Sequence, residues 1–229
     1  CTLRRVTPSG LASRSVLLAN AKQLASSLNQ ASADLVSARQ SLNFQVQQTV
    51  EEINSLSKQL ATLNGQIVAA EVTGQSANDL RDQRDSVVNE LAKRIDITTV
   101  EATSGALTVF AARGQVLVEG ATIRQLAAIE DPDNQGLFTV GYSTGGTRPL
   151  SIAGLISNGR LRSLLDVRDT TVKELEVSFD RLAATLANAV NGIHRQGYGL
   201  DGSTGRDFFN PESITTSARP RYFVRPSIS

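Results

Sequence analysis

A long apolar seam near the start of the chain limits its fold more than any other feature. Leu17, Ala21, Leu24, Leu28, Ala31, Leu35, Ala38 and Leu42 alternate spacings of four and three, the pattern of a helix whose apolar edge lies along another helix. After one extra step of four to Val46, the alternation resumes through Thr49, Ile53, Leu56, Leu60, Leu63 and Ile67. That irregularity reads as a stutter, which locally unwinds a supercoil. One continuous helix over the seam would be on the order of 75 Å long, more than a compact globule needs, and predicts a rod.

The remaining faces of this stretch carry Gln, Asn and Ser rather than Glu/Lys pairs, so the helix must bury its seam against a partner. Met and Trp are absent and aromatic residues make up 4% of the chain, which leaves Leu, Val, Ile and Ala to build thin helix–helix contacts. The best partner comes late: Leu161, Leu164, Arg168, Val172, Leu175, Phe179, Leu182, Leu186, Ala189 and Ile193 form a near-heptad stripe within a helix read over residues 158–195. The two seams are expected to pack antiparallel. A shorter helix is expected from Ser76, whose hydroxyl with Asp79 makes a capping-box pattern, after a break at Thr73-Gly74-Gln75.

Between the helices the apolar period falls to two. Leu107, Val109 and Ala111, then Val116 and Val118, flank a turn at Arg113-Gly114 and predict a hairpin. Residues 95–100, 121–129 and 137–142, with turns at 131–136 and 143–147, would complete one meander, and residues 221–229 would add an edge strand. The fold class is therefore α+β, an elongated antiparallel coiled-coil-like bundle with an inserted small antiparallel β-domain. The division reads as residues 11–94 and 153–196 for a discontinuous helical rod, and 95–152 with 197–229 for the β-rich part. The glycine-rich stretch after residue 196 is expected to pack on the strands.

Charge narrows the function. Lys and Arg number 23 against 22 Asp and Glu, all scattered, so the basic footprint of a nucleic-acid or anionic-membrane binder is missing. No apolar run approaches the roughly 18 residues of a membrane span. The single cysteine, Cys1, rules out an intrachain disulfide or a cysteine-based metal cluster, and the start without Met reads as a processed chain or a fragment. His194 is the only histidine, which disfavours two-imidazole metal sites and a Ser-His-Asp constellation. At the end of a helix it is expected to cap carbonyls and to favour the negative end of the dipole.

No cofactor or metal ligand set emerges: the glycine-rich turns match neither a phosphate loop nor a dinucleotide fingerprint, and the Asp-rich turns lack calcium-loop spacing. The charged cluster Asn78-Asp-Leu-Arg-Asp-Gln-Arg-Asp85 reads as helix-start carboxylates with an Arg81/Asp85 pair, while Arg84 and Arg168 fall in apolar stripes and call for carboxylate partners. The residues expected to matter are structural: Leu56, Leu60, Leu63, Leu175, Leu182 and Leu186 in the seams, with Arg81, Asp82, Arg84 and Asp85 shaping a helix junction. Three function classes stand beside one another: a structural protein acting by packing, a sensory or adhesive ectodomain presenting a β-module on a helical stalk, and an extracytoplasmic hydrolase using His194. The first has the most support.

Three stretches add a resemblance. Leu63-Asn-Gly-Gln-Ile67 with Asn78–Asp85, then Leu161–Asp169, then His194-Arg-Gln-Gly-Tyr198 leading to Gly205-Arg-Asp-Phe-Phe209, resemble in content and order the hook-associated protein 1 family of bacterial flagella. The resemblance covers roughly Leu11 to Phe209. It implies a noncatalytic, secreted, extracellular structural role between hook and filament, after export through the flagellar type III apparatus with an export chaperone. It also implies contacts with the hook protein, a second junction protein and copies of itself in a ring. The long terminal segments by which that family polymerises have no counterpart here, so the isolated chain is expected to be a monomer.

Overall fold

A computed structural model of the chain describes residues 11–143, 149–199 and 201–210. The order is α1 (Leu11–Val72), α2 (Asn78–Arg94), seven strands among the described residues, then α3 (Gly159–Asp166), a π-helical turn over Val167–Thr171 and α4 (Val172–His194). The seam of the sequence does form one helix. It ends in a Schellman motif: Gly74 takes the left-handed conformation (φ 76°), its N–H donates to Glu71 O at 3.0 Å, and Gln75 N–H donates to Ala70 O at 3.1 Å. The expected break at residues 73–75 is therefore a helix stop built on one glycine. The start of α2 differs from the capping-box expectation: Ala77 occupies the cap, makes no side-chain cap bond and is buried, and Ser76 stays outside the helix.

The strands form two antiparallel sheets rather than one meander. The first, in the order β1 (Ile97–Glu101), β2 (Leu107–Ala111), β3 (Gln115–Glu119) and β4 (Thr122–Ile123), contains the expected hairpin. Ala112 and Arg113 turn it in the left-handed region, at φ 46° and 61°, and a register shift between Val109 and Phe110 marks a bulge. The second sheet is β5 (Leu126–Asp131), β6 (Leu137–Tyr142) and β7 (Leu150–Ser151). Chain direction changes sheet at Arg124-Gln125, and the Tyr142 hydroxyl reaches back to donate to Val116 O at 2.8 Å. Residues 144–147 of the expected turn and the suggested strand at 221–229 lie outside the described residues.

Two compact units result, and they follow packing rather than secondary-structure type. One runs from Arg39 to Thr171 and joins the second half of α1, α2, both sheets and α3 around one core. Its centre line on α1 is Val46, Val50, Ile53, Ser57, Leu60, Asn64 and Ile67, all buried and all in four-three alternation. Against it lie Leu91 and Ile95, strand residues Val109, Leu117, Val118 and Val140, and Leu161, Leu164 and Leu165 of α3. Here α1 and the α3 region run antiparallel, since Asn43 meets Arg168 while Glu52 meets Arg160.

The other unit comprises the described residues up to Ala38 and from Val172 onward. Ala21 and Ala25 of α1 pack with Ala187 of α4, Phe208 and Phe209, flanked by Leu18 and Val190. Residues 201–210 thus close on the end of α4, where the sequence reading had grouped them with the strands. The cause is Asn191, whose buried carboxamide holds the backbone of Phe208 and Phe209.

Candidate functional site: polar clasps within the two units

Sequence reasoning gave Arg168 a place in an apolar stripe, and the structure shows how its charge is tolerated there. The side chain is 1% exposed. Its Nε and Nη2 donate to the two carboxylate oxygens of Asp169, at 2.8 and 2.7 Å, and Nη1 donates to Asn43 Oδ1 and Phe138 O, at 2.8 and 2.7 Å. Such a two-point guanidinium–carboxylate pair is among the stronger polar contacts a protein makes. The network continues outward. Asn134 donates to Asp169 Oδ1 at 2.9 Å and accepts from Arg39 Nη2 at 2.8 Å, and Arg39 Nη1 reaches Gln135 at 3.2 Å. One cluster therefore ties α1, the β5–β6 connection and the π turn together. Burial raises the Asp169 carboxyl, yet hydrogen bonds from Arg168 and Asn134 with the charges of Arg168 and Arg39 outweigh it and hold the group below the usual carboxylate range.

A second device escaped the sequence reading. Three asparagines of α1 turn their carboxamides onto strand backbones, as an added strand would. Asn43 Oδ1 accepts from Phe138 N–H at 2.7 Å. Asn54 accepts from Leu126 N–H at 2.9 Å and donates to Leu126 O at 2.8 Å. Asn64, 1% exposed, accepts from Leu107 N–H at 3.0 Å and donates to Leu107 O and Gly120 O at 2.8 and 2.9 Å. Asn191 of α4 repeats the motif in the other unit, accepting from Phe208 and Phe209 N–H and donating to Phe209 O. The carboxamide presents a donor and an acceptor side by side without carrying a charge, which is what a strand end requires. Position gave no signal either: the apolar alternation of the sequence passes through Leu63, whereas the buried centre line of the structure passes through Asn64.

The charged cluster read at residues 78–85 divides. Arg81 bonds Glu71 through Nε and Nη2, at 3.0 and 2.7 Å, and pairs with Glu101. Arg84, 3% exposed, donates to Gly105 O at 2.8 Å and to Glu101 at 3.3 Å. Hydrogen bonds from Arg81 and then Arg84 hold the Glu101 carboxyl low, and the bond to Glu71 leads the upward shift of Arg81. Asp82 is exposed, and Asp85 is exposed with an oxygen 3.9 Å from Arg84 Nε. The structure brings Arg81 and Arg84 together with Glu71, Glu101 and the β1–β2 turn, and leaves the two aspartates at the surface.

Gly105 is fitted to this junction: at φ 78°, an added Cβ would lie 2.4 Å from Glu71 Oε2 and 3.0 Å from Arg81 Nη2. Gly105→Ala is expected to cost about 1–3 kcal/mol, from the left-handed backbone and the displaced carboxylate. A fall in the urea midpoint at constant slope is the measurement; an unchanged midpoint would remove this junction from the stabilising contacts.

Of the seam leucines, Leu60 is fully buried, while Leu56 and Leu63 flank the centre line and are half-buried. On α4 the buried line is Ala183, Ala187 and Asn191; Leu186 is half-buried, and Leu175 and Leu182 are 44% and 55% exposed. Of these, Ala187 shares a buried cluster with Ala21, Ala25, Phe208 and Phe209, so the core of this unit does not follow the leucine stripe. His194 is exposed. Its Nδ1 donates to the carbonyl of Arg206 at 2.8 Å, outside α4, and its ring meets Phe208 edge-on, so it fastens the following loop instead of capping its own helix. Beside it Arg195 pairs with Asp207 at 2.6 Å, and the Arg195 hydrogen bond keeps the Asp207 carboxyl low. Among the described residues no group of three or more His, Cys, Asp or Glu side chains could hold a metal ion.

Comparison with known proteins agrees with this arrangement. The family model described as the flagellar hook-associated protein FlgK helical domain matches residues 5–209. Flagellar hook-associated protein 1 of Salmonella typhimurium is 33% identical over 202 residues, 87% of this chain but 36% of the relative, and its namesake in Escherichia coli K12 is 30% identical over 201 residues, 86% and 37%. The chain thus spans little more than a third of these curated relatives. Among solved structures, the flagellar hook junction protein FlgK from Burkholderia pseudomallei superimposes with a TM-score of 0.77 at 32% identity, covering 88% of this chain and 37% of that one. With its long helix, its inserted antiparallel strands and a family match across most of its length, this chain belongs to the flagellar hook-associated protein FlgK family, as the helical domain of that family.

Proposed function

We propose that this chain is a noncatalytic structural part of the bacterial flagellum, secreted through the flagellar export apparatus and seated at the junction of hook and filament. The observation that carries the reading is the family match over residues 5–209, to relatives whose names place them at the hook. The polar groups support it in kind: Arg168, Asn64 and Asn191 are each buried and each bound to their own chain, which suits a scaffold. In this reading the partners are the hook protein, a second junction protein, neighbouring copies in a ring and, before export, a chaperone.

Antibodies raised against the chain, applied to isolated flagella of the source bacterium and viewed by electron microscopy, should label one narrow band between hook and filament. Label along the whole filament, or on the cell surface away from flagella, would overturn the proposal. The latter pattern would instead favour an adhesive or sensory ectodomain.

A further inference from the structure

The chain contains three Asn-Gly pairs, Asn64-Gly65, Asn158-Gly159 and Asn191-Gly192. In such a pair the glycine amide nitrogen has no side chain beside it and can attack the asparagine carboxamide carbon, so each pair is chemically vulnerable in an unstructured chain. The fold treats them differently. Asn64 and Asn191 lie inside α1 and α4, where the following N–H belongs to the helix ladder, and their carboxamides are buried and bound as donor and acceptor. Attack there requires helix and clasp to open together.

Asn158 differs on each count. It is exposed, it precedes α3 in extended conformation (φ −155°, ψ 176°), and its Oδ1 accepts from Gly159 N–H at 2.8 Å, which lays the nucleophilic nitrogen beside the carboxamide. Nor can the glycine be exchanged for a protecting residue. At φ 88°, a Cβ on Gly159 would come within 2.7 Å of Ile95 N and 2.8 Å of the Arg94 carbonyl. The packing of α3 on the end of α2 demands the residue that makes Asn158 vulnerable.

We propose that Asn158-Gly159 is a site of spontaneous deamidation in the folded protein, and that the fold itself protects the other two pairs. The Gly159 nitrogen gives up its proton to solvent base and bonds to the Asn158 side-chain carbonyl carbon. The bond from that carbon to the side-chain nitrogen breaks, and the nitrogen leaves as ammonia after taking a proton from water. Water then opens the resulting succinimide at either carbonyl, giving aspartate or isoaspartate with no change of oxidation state. The two products have opposite consequences. Aspartate keeps an acceptor for the α3 cap and adds a charge that the helix start favours. Isoaspartate lengthens the main chain by one carbon where Gly159 is pressed against Arg94 and Ile95, and loosens the start of α3.

The test is to incubate the full chain, folded, at mildly alkaline pH, and to follow each peptide by the mass change of NH2 to OH and by methylation with an isoaspartyl methyltransferase. The Asn158 peptide should convert first, with the Asn64 and Asn191 peptides at least roughly tenfold slower because they react only from opened states. In urea all three should convert at similar rates, and Asn158→Gln should abolish the early methylation. An intact Asn158 peptide alongside a reacting urea control would overturn the proposal, as would equal rates at all three sites in the folded chain.

Discussion

Replacing Asp169 by alanine is expected to be among the most damaging single changes in this chain, at about 3 kcal/mol, the lower end of the range for breaking a buried ion pair. Arg168 would keep its bonds to Asn43 and Phe138 O, but its charge would stay buried without a counter-ion. The lower end applies because the Asp169 side chain is 32% exposed, so water can partly take its place. Removing both charges, as Arg168→Met with Asp169→Ala, should cost less than the sum of the two single changes, since the double variant leaves no orphaned charge. Equal additive losses in denaturation would show that the pair is not a unit. The sign of the pH effect is fixed by the depressed Asp169 carboxyl. Its contribution is complete above the ordinary carboxylate value of about 3.9 and is lost as pH falls through the lower folded value, so acid unfolding should be shallower in the alanine variant.

Asn64→Ala should rival it. The change withdraws partners from Leu107 N–H, Leu107 O and Gly120 O at once, inside the core, and an unpaired buried backbone group costs on the order of 1–3 kcal/mol, for a total of about 3 kcal/mol. Asn64→Asp is the more informative variant. It keeps an acceptor for Leu107 N–H but turns an oxygen toward two carbonyls, so its folded form favours the protonated acid and its pKa is raised. Stability should then be highest below the ordinary carboxylate value and fall as pH rises through the raised one, opposite to the Asp169 trend. A pH-independent loss in Asn64→Asp would mean that the carboxamide does not face those carbonyls.

The difference between these residues and the leucines explains what the sequence could and could not reveal. Spacing alone located α1, the α3–α4 region and the β2–β3 hairpin, because in each the buried side chains are apolar and recur with the period of the element. It missed Asn43 and Asn54 as clasps because a polar residue on a helix is counted with the solvent face unless its partner is known. It places Leu175 and Leu182 in a seam, while Ala183 and Ala187 are the buried residues of α4, because periodicity ranks residues by hydrophobicity and takes no account of Phe208 and Phe209, which share the cluster with Ala187. The two-sheet division was hidden because the passage through Arg124-Gln125 has no glycine or proline to announce it. The charged cluster at 78–85 was visible, but Glu71 and Glu101, which complete it, lie outside it on the neighbouring α1 and β1, where only the fold shows which carboxylates face Arg81.

The asparagine clasps of α1 also determine how this unit responds to force. Asn43, Asn54 and Asn64 are ten or eleven residues apart, about 15 Å along the helix, and each grips a different strand. A pull along the axis of α1 strains all three at once, as shear on a row of rivets, and yields only when the row fails together. A pull that lifts one end meets them in turn, like peeling tape, and each gives way alone. The same bonds therefore make the unit stiff along the helix and weak across it, a directional resistance that would follow from their spacing even if every clasp had the same strength.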